Sequence, residues 1–364
     1  MASTSSDFLQ VIDSSFSNRD EFMSQIDRSY RLGKVSGEFN IIGAVNNLSG
    51  GKEEFSQQLN NRFEVIQAED DLRLLYTEVD SDPVYTYVYL DDNTPIFLTN
   101  ANKTDQIPPT IISFLREFNG VGRLMLSRRE VDEMRKEIVN KYNNVIIPFF
   151  SAQRTRDASV GARRRPDTER SIQYRGIDGL DTYREMRYNY GILPRIMKFE
   201  KTNKFKFKIK ENGTFIHMGG GILPLWECLK GQITRVEEMM EYANTGNYHQ
   251  TDSSFFGENK FNVSTPWAVE VEDGIKKEHL ETLPSQFNDS FWEFSVSEYD
   301  ADLQFESFEA ELIDEATHER TTLKSKGSEV RVFPRENTDI DQSLRIFNFL
   351  GDHFDTDCSA KKVA

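Results

Sequence analysis

The stretch Lys204 to Met218 leaves the chain few choices. Lys204, Lys206, Lys208 and Lys210 alternate strictly with Phe205, Phe207 and Ile209. Successive side chains of a strand point to opposite faces, so period-two alternation places all four ammonium groups on one face and the apolar side chains on the other. Asn212-Gly213 follows and is the favoured two-residue type I′ loop. A hairpin is expected. With a two-residue loop Ile209 opposes Ile216 and Phe207 opposes Met218, which leaves Phe215 and His217 on the lysine face. A three-residue loop would slip the pairing and bury Phe215 and His217 instead. The two-residue register buries more aliphatic surface and is preferred.

Charge singles out the same region. Residues 154–210 hold sixteen Lys or Arg against seven Asp or Glu, a local net of +9 in a chain of −16. A pI near 4.9 implies solubility and poor general affinity for polyanions. Such a chain binds nucleic acid only through a segregated patch. Four like charges in two strand turns repel one another unless paired or solvated. Either the acidic remainder of the chain answers them, or an external polyanion does. Phosphate binding releases counterions and favours a basic stripe, and Phe215 on that stripe is placed to stack on an unpaired base. Upstream, Arg154, Arg156, Arg163, Arg164, Arg165 and Arg170 sit in a Gly-, Ala-, Ser- and Arg-rich segment that lacks core residues. Arg175, Tyr183, Arg184, Arg187, Tyr188 and Tyr190 then interleave cation and aromatic.

The rest of the chain reads as α+β. Residues 5–33 read as helical, with Ser17 and Asp20 at a helix start and Gly33 as its C′ residue. Leu72 to Val79, Val84 to Leu90 and Pro95 to Leu98 read as consecutive strands. Pro108 to Phe118 reads as a helix. Arg123 to Leu126 is a strand, Ser127-Arg128-Arg129-Glu130 a capping box that opens a helix to about Tyr142, and Val145 to Phe150 the next strand. This strand–helix–strand unit closes an N-terminal α/β domain, residues 1–150. A basic linker, 151–170, and a hairpin–helix block, 171–244, follow. In that block Leu225, Leu229, Ile233, Val236 and Met240 form an apolar helix face. Residues 245–288 look polar and irregular. An antiparallel β layer and a terminal helix complete a β-rich domain, 245–356, and 357–364 is expected to be a disordered tail.

Catalytic signals are sparse. Asp178, Asp181 and Glu185 are the one carboxylate group placed to hold Mg²⁺ beside basic residues, as a metal-dependent nuclease needs. Helix capping and i,i+4 pairing account for Asp181 and Glu185 without metal. The five histidines lack Cys or His partners at ligand spacing. Gly219-Gly220-Gly221 precedes a helix and reads as a hairpin-to-helix break rather than an anion cradle. Two cysteines form no disulfide framework and suit a reducing interior. No basic leader and no apolar run of spanning length is visible, so a cytoplasmic protein without a membrane partner is expected.

The leading expectation is a non-enzymatic nucleic-acid-binding protein, regulatory or concerned with genome maintenance, with no metal or cofactor. Its expected contacts are Arg163, Arg164, Arg165, Arg184, Arg187, Lys204, Lys206, Lys208, Lys210, Phe215 and His217. The rival is a scaffold whose basic segment docks an acidic protein partner, and the nuclease stands third.

Overall fold

The fold is α+β, with two main antiparallel sheets and helices packed on them. The computed structural model describes residues 16–33, 37–101, 104–118, 120–154, 170–243, 248–252, 260–264, 266–272, 274–288, 291–334, 340–354 and 358–363. The chain divides into two compact units. One comprises residues 1–152, 172–185 and 194–234, and the other residues 153–171, 186–193 and 235–364.

The first unit is organised on one strand, β1 (Phe39–Asn46), buried along its whole length. Ahead of it, α1 (Arg19–Arg31) starts at Asn18, whose side chain accepts from the Glu21 N–H at 2.9 Å. The cap is Asn18, one residue beyond the expected Ser17, and Gly33 ends the helix with φ 70°. After β1 come α2 (Gly51–Arg62), β2 (Glu64–Glu69), β3 (Leu72–Val79), β4 (Asp82–Tyr89) and β5 (Ile96–Thr99). A π-helical turn (Pro108–Ile112) runs into α3 (Ser113–Glu117), and β6 (Val121–Arg123) follows. The predicted capping box opens α4 (Arg128–Lys141), with both reciprocal Ser127–Glu130 bonds formed. Next are β7 (Ile146–Arg154), β8 (Arg170–Arg175), α5 (Gly179–Tyr190), β9 (Leu193–Lys201), β10 (Phe205–Lys210), β11 (Thr214–Gly220) and α6 (Leu223–Tyr242), of which residues 153–154, 170–171, 186–190, 193 and 235–242 are assigned to the second unit. The strand order is β2-β3-β4-β5-β1-β11-β10-β9-β7-β8, with β6 paired to β1.

Both faces of this sheet carry core. On one, Phe22 of α1 packs on Tyr87 and Tyr89, Tyr30 on Phe39, Tyr142 after α4 on Phe205, and Tyr183 of α5 on Phe150. On the other, Phe55 and Leu59 of α2 and Phe114 and Leu115 of α3 cluster with Ile42, Ala44, Val88 and Phe97 of the strands. Full burial of one such side chain contributes about 1.5–3 kcal/mol.

The lysine hairpin forms, but in the other register. Ile209 opposes Phe215, Lys208 opposes Ile216 and Phe207 opposes His217, with a bulge after Lys206. The loop is therefore the three residues Glu211-Asn212-Gly213. Gly213 takes the left-handed position at φ 72°, and Asn212 has no positive φ, as a type I′ turn would need. Phe215 and His217, expected on the lysine face, lie fully buried on the opposite one. The cause is Glu211. Its N–H donates to the Arg195 carbonyl at 2.8 Å and its carbonyl accepts from Leu126 N–H at 2.9 Å. Its carboxylate receives Arg128 Nε at 3.0 Å and Arg195 Nε. These bonds hold residue 211 in the turn and delay the return strand by one residue. A Cβ on Gly213 would stand 1.7 Å from the Leu124 carbonyl oxygen, so only glycine fits.

In the second unit the stretch expected to be irregular supplies regular elements. They are β12 (Tyr248–Asp252) paired with β13 (Lys260–Ser264), then β14 (Trp267–Val271) and α7 (Lys277–Phe287). The second main sheet adds β15 (Phe294–Asp302), β16 (Ser307–Asp314), β17 (Arg320–Lys326) and β18 (Glu329–Pro334), followed by α8 (Ile340–Phe354) and β19 (Cys358–Lys362). Its order is β15-β16-β17-β18-β14-β19. Residues 358–362, expected in a disordered tail, thus form an edge strand on β14, from Trp267↔Lys362 to Val271↔Cys358. Backbone pairing supplies there what the polar side chains do not announce. Helix α8 is buried along almost its entire length. Its Arg345 sits between Asp314 and Asp341 and donates to the Trp292 carbonyl at 2.8 Å.

Candidate nucleic-acid interface

The lysine face survives the change of register. Lys206, Lys208 and Lys210 stay half-buried while Phe205, Phe207 and Ile209 are sealed beneath. Strand β9 adds to the same side, because Lys206 opposes Glu200 and Lys208 opposes Lys198. Phe149 of β7 joins them: Lys208 Nζ lies 5.4 Å from its ring centroid and the Arg175 guanidinium of β8 lies 5.5 Å away. Among the described residues this side of β8, β9 and β10 carries Arg175, Lys198, Lys206, Lys208 and Lys210, with Glu200 paired to Lys206 at 3.4 Å.

Toward β1 the same face is covered. Lys208 opposes Ile216, and Ile216 opposes Asn40. Asn40 shares its side with Ile42 and Ala44, which lie beneath α2 and α3. One sheet face is thus apolar and covered over β1 and β3 to β5, and cationic and half-exposed over β8 to β10. The second unit's sheet offers a contrast. On its outward side Lys324 pairs with Glu309 at 2.8 Å, Arg320 with Glu311 at 3.2 Å and Lys361 with Glu329 at 3.0 Å. There these three cations each pair with an acid on another strand.

Buried ion pairs hold the cationic face from beneath. Arg128 and Glu211 are almost wholly excluded from water. Asp132 accepts from Arg135 Nε at 2.7 Å and from the Tyr183 hydroxyl at 2.9 Å, while the Arg135 guanidinium covers the Tyr183 ring at 5.2 Å. These bonds tie α4 to α5 and to the hairpin turn. Charged pairs this deep are costly to break singly, because the remaining partner is left buried and uncompensated. In the sequence the only hint of them was the capping box, which fixed where α4 begins.

The other expected site residues scatter. Lys204 is exposed at the start of β10. Arg184 is exposed and lies 3.5 Å from Asp181. Arg187 is half-buried farther along α5. Arg163, Arg164 and Arg165 lie outside the described residues. His217 is packed between Phe39 and Tyr30, each ring centroid 4.5 Å away, and faces the Gly220 carbonyl through Nε2 at 3.0 Å. Burial pushes its pKa down to about 4. Phe149, Lys198 and Arg175 enter the site, and the first two of these carried no signal as a lone aromatic and a lone lysine in the sequence.

The carboxylates are not assembled for metal. Asp178 accepts from the Tyr174 hydroxyl at 2.6 Å and Asp181 neighbours Arg184. Among the described residues no three His, Cys, Asp or Glu side chains stand close enough to hold an ion. Nor does any described helix have the length and apolarity to cross a membrane. Cys228 is buried, its thiol pushed up to about 12, and neither cysteine is in a disulfide. The helix start after Gly219-Gly220-Gly221 is already occupied: the Asp27 carboxylate accepts the Ile222 N–H at 2.7 Å and is paired with Arg31 at 2.7 Å.

No solved structure matches this chain. A family model described as a family middle domain matches residues 129–212, the segment that runs from α4 through β10 to the hairpin turn and so contains the cationic face. Over 339 residues, 90% of this chain and 91% of the other, the sequence is 22% identical to an uncharacterized protein of Archaeoglobus fulgidus.

Proposed function

We propose that this chain binds nucleic acid, single strands in preference to duplex, through the cationic face of β7 to β10. The observation that carries the reading is Phe149, bracketed by Arg175 and Lys208 on a half-exposed sheet face where five cations gather among the described residues. An exposed sheet face gives a flat platform, a phenyl ring on it stacks on any base, and the surrounding cations follow the phosphates. Lysines in a row contact phosphates without reading sequence, so the interface favours a general binder. Phe149 takes the stacking role expected of Phe215. A cytoplasmic setting, and a role in regulation or genome maintenance, belong to the same proposal.

Fluorescence anisotropy with labelled single-stranded DNA, single-stranded RNA and duplex DNA over a salt series tests it. Affinity should fall linearly with the logarithm of salt concentration, with a slope of about −0.7 per phosphate neutralised on single strands. Lys206→Glu, Lys208→Glu and Lys210→Glu together should abolish measurable binding. Phe149→Ala should weaken single-strand binding by about 1–3 kcal/mol and leave duplex binding alone. The reading fails if the chain binds no nucleic acid at low salt, or if the triple variant binds as tightly as the parent. An acidic protein captured by the same lysines, with no nucleic acid bound, would also overturn it.

A further inference from the structure

A cavity of about 800 Å³ lies in the first unit, lined by residues from α1, the end of α4, the β9–β10 turn, the end of β11 and the start of α6. Its volume falls within the range of about 300–1,000 Å³ usual for small-molecule sites. Three of its lining groups have no hydrogen-bond partner among the described residues: the Tyr30 hydroxyl, the Asn203 amide and the Lys204 ammonium. The other charges there are already matched. Arg31 pairs with Asp27 at 2.7 Å, and Glu227 with Lys141 at 2.6 Å. The uncommitted charge is therefore positive. It is reinforced by Lys201, whose Nζ lies 5.9 Å from the centroid of the lining Tyr142 ring. Phe205, Leu223, Pro224 and the Tyr142 ring give an apolar wall beside these polar groups.

An apolar wall bordered by one ammonium, one amide and one phenol fits a ligand that joins a planar polar ring to an anion. We infer that this cavity is a binding site for a nucleoside monophosphate. Lys204, with the outer N–H groups of Arg31, takes the phosphate, since an ammonium and a guanidinium are both strong donors to it. The ring lies against Tyr142 and Pro224, and the Asn203 amide and Tyr30 hydroxyl hydrogen-bond its edge. The helix start is not part of the site, because Asp27 fills it. Lys204 is also the first lysine of the β10 row, so the cavity opens at one end of that strand. The inference does not depend on strand binding at the sheet face.

Isothermal titration of the full chain with AMP, CMP, GMP and UMP, with the parent nucleosides and with inorganic phosphate is the test. At least one monophosphate should bind saturably at one site, tighter than both its nucleoside and phosphate alone. Lys204→Ala should weaken it by at least about tenfold, the usual scale of a lost charge-assisted hydrogen bond. Asn203→Asp should weaken it similarly. Asn203 has φ 57°, a conformation aspartate also tolerates, so this variant keeps the turn and adds only a repelling charge. Lys324→Ala, on the second unit's sheet where it pairs with Glu309, should change nothing. Failure of all four monophosphates to bind would overturn the inference. So would parental affinity in both cavity variants, phosphate alone binding as tightly, or loss in Lys324→Ala equal to that in Lys204→Ala.

Discussion

Lowering the pH should destabilise this protein through His217, and the size of the effect follows from its surroundings. The Gly220 carbonyl accepts from Nε2, so the neutral ring carries its proton there. Nδ1 is buried and has no hydrogen-bond partner among the described residues. A second proton would put a charged N–H among the Phe39 and Tyr30 rings with nothing to accept it, and Asp27 is the carboxylate whose field acts on it. The folded-state pKa is accordingly about 4, against 6.5 for the free side chain. Below pH 6.5 the unfolded chain takes up a proton that the folded chain refuses. Stability is therefore whole above 6.5 and falls as the pH drops toward 4. At 1.36 kcal/mol per pK unit the full loss is about 3 kcal/mol, and about 2 kcal/mol of it is reached by pH 5. Urea unfolding between pH 7.5 and 4.5, for the parent and for His217→Phe, isolates this contribution, because every other group titrates alike in both. The variant loses the bond to Gly220 and is weaker at pH 7.5 by about 1 kcal/mol. It should close that gap near pH 6 and be more stable than the parent by about 1 kcal/mol at pH 5. Nuclear magnetic resonance titration of the ring should find it neutral at pH 5. Parallel pH profiles for the two proteins would refute the argument, since His217 would then protonate in the folded state without cost.

Three further outcomes follow. Gly213→Ala forces a Cβ into the Leu124 carbonyl and a side chain into the left-handed region; it should cost at least about 2 kcal/mol in urea unfolding, given about 1–2 kcal/mol for the backbone alone. Glu211→Ala removes the buried carboxylate that pairs with Arg128 and should destabilise by about 3–5 kcal/mol, whereas an exposed pair such as Lys136–Glu133 should give less than about 1 kcal/mol when Glu133 becomes Ala. With its thiol pushed up to about 12, Cys228 should resist Ellman's reagent at pH 8 in the folded protein and react only in denaturant, which a thiol-labelling time course reads directly.

How much of this was legible beforehand differs by residue. The capping box at Ser127 and Glu130, the β3 to β5 strands, the apolar stripe of α6 and the alternation of β10 could all be read off, because each is enforced by neighbours in sequence: a helix cap within three residues, a pleat within two. The lysine face belongs to this class. It persists in either hairpin register, since alternation along β10 alone creates it.

Phe215 and His217 belong to the other class. Their side of the sheet depended on whether Glu211 ended β10 or entered the turn. Arg128 and Arg195 settled that, and the first of them lies 83 positions away in the chain. Asn212-Gly213 favoured a turn without fixing its length, and a one-residue difference in length exchanges the two faces. Phe149 became part of the candidate interface, and residues 358–362 an edge strand, for the same reason: pairing partners distant in sequence supply the contacts. The sequence by itself determined that a cationic strand exists and which of its side chains share a face. Only the tertiary structure decided which aromatic stands beside them, because strand order and register are set by long-range pairing and buried charge, and neither leaves a periodic trace in the chain.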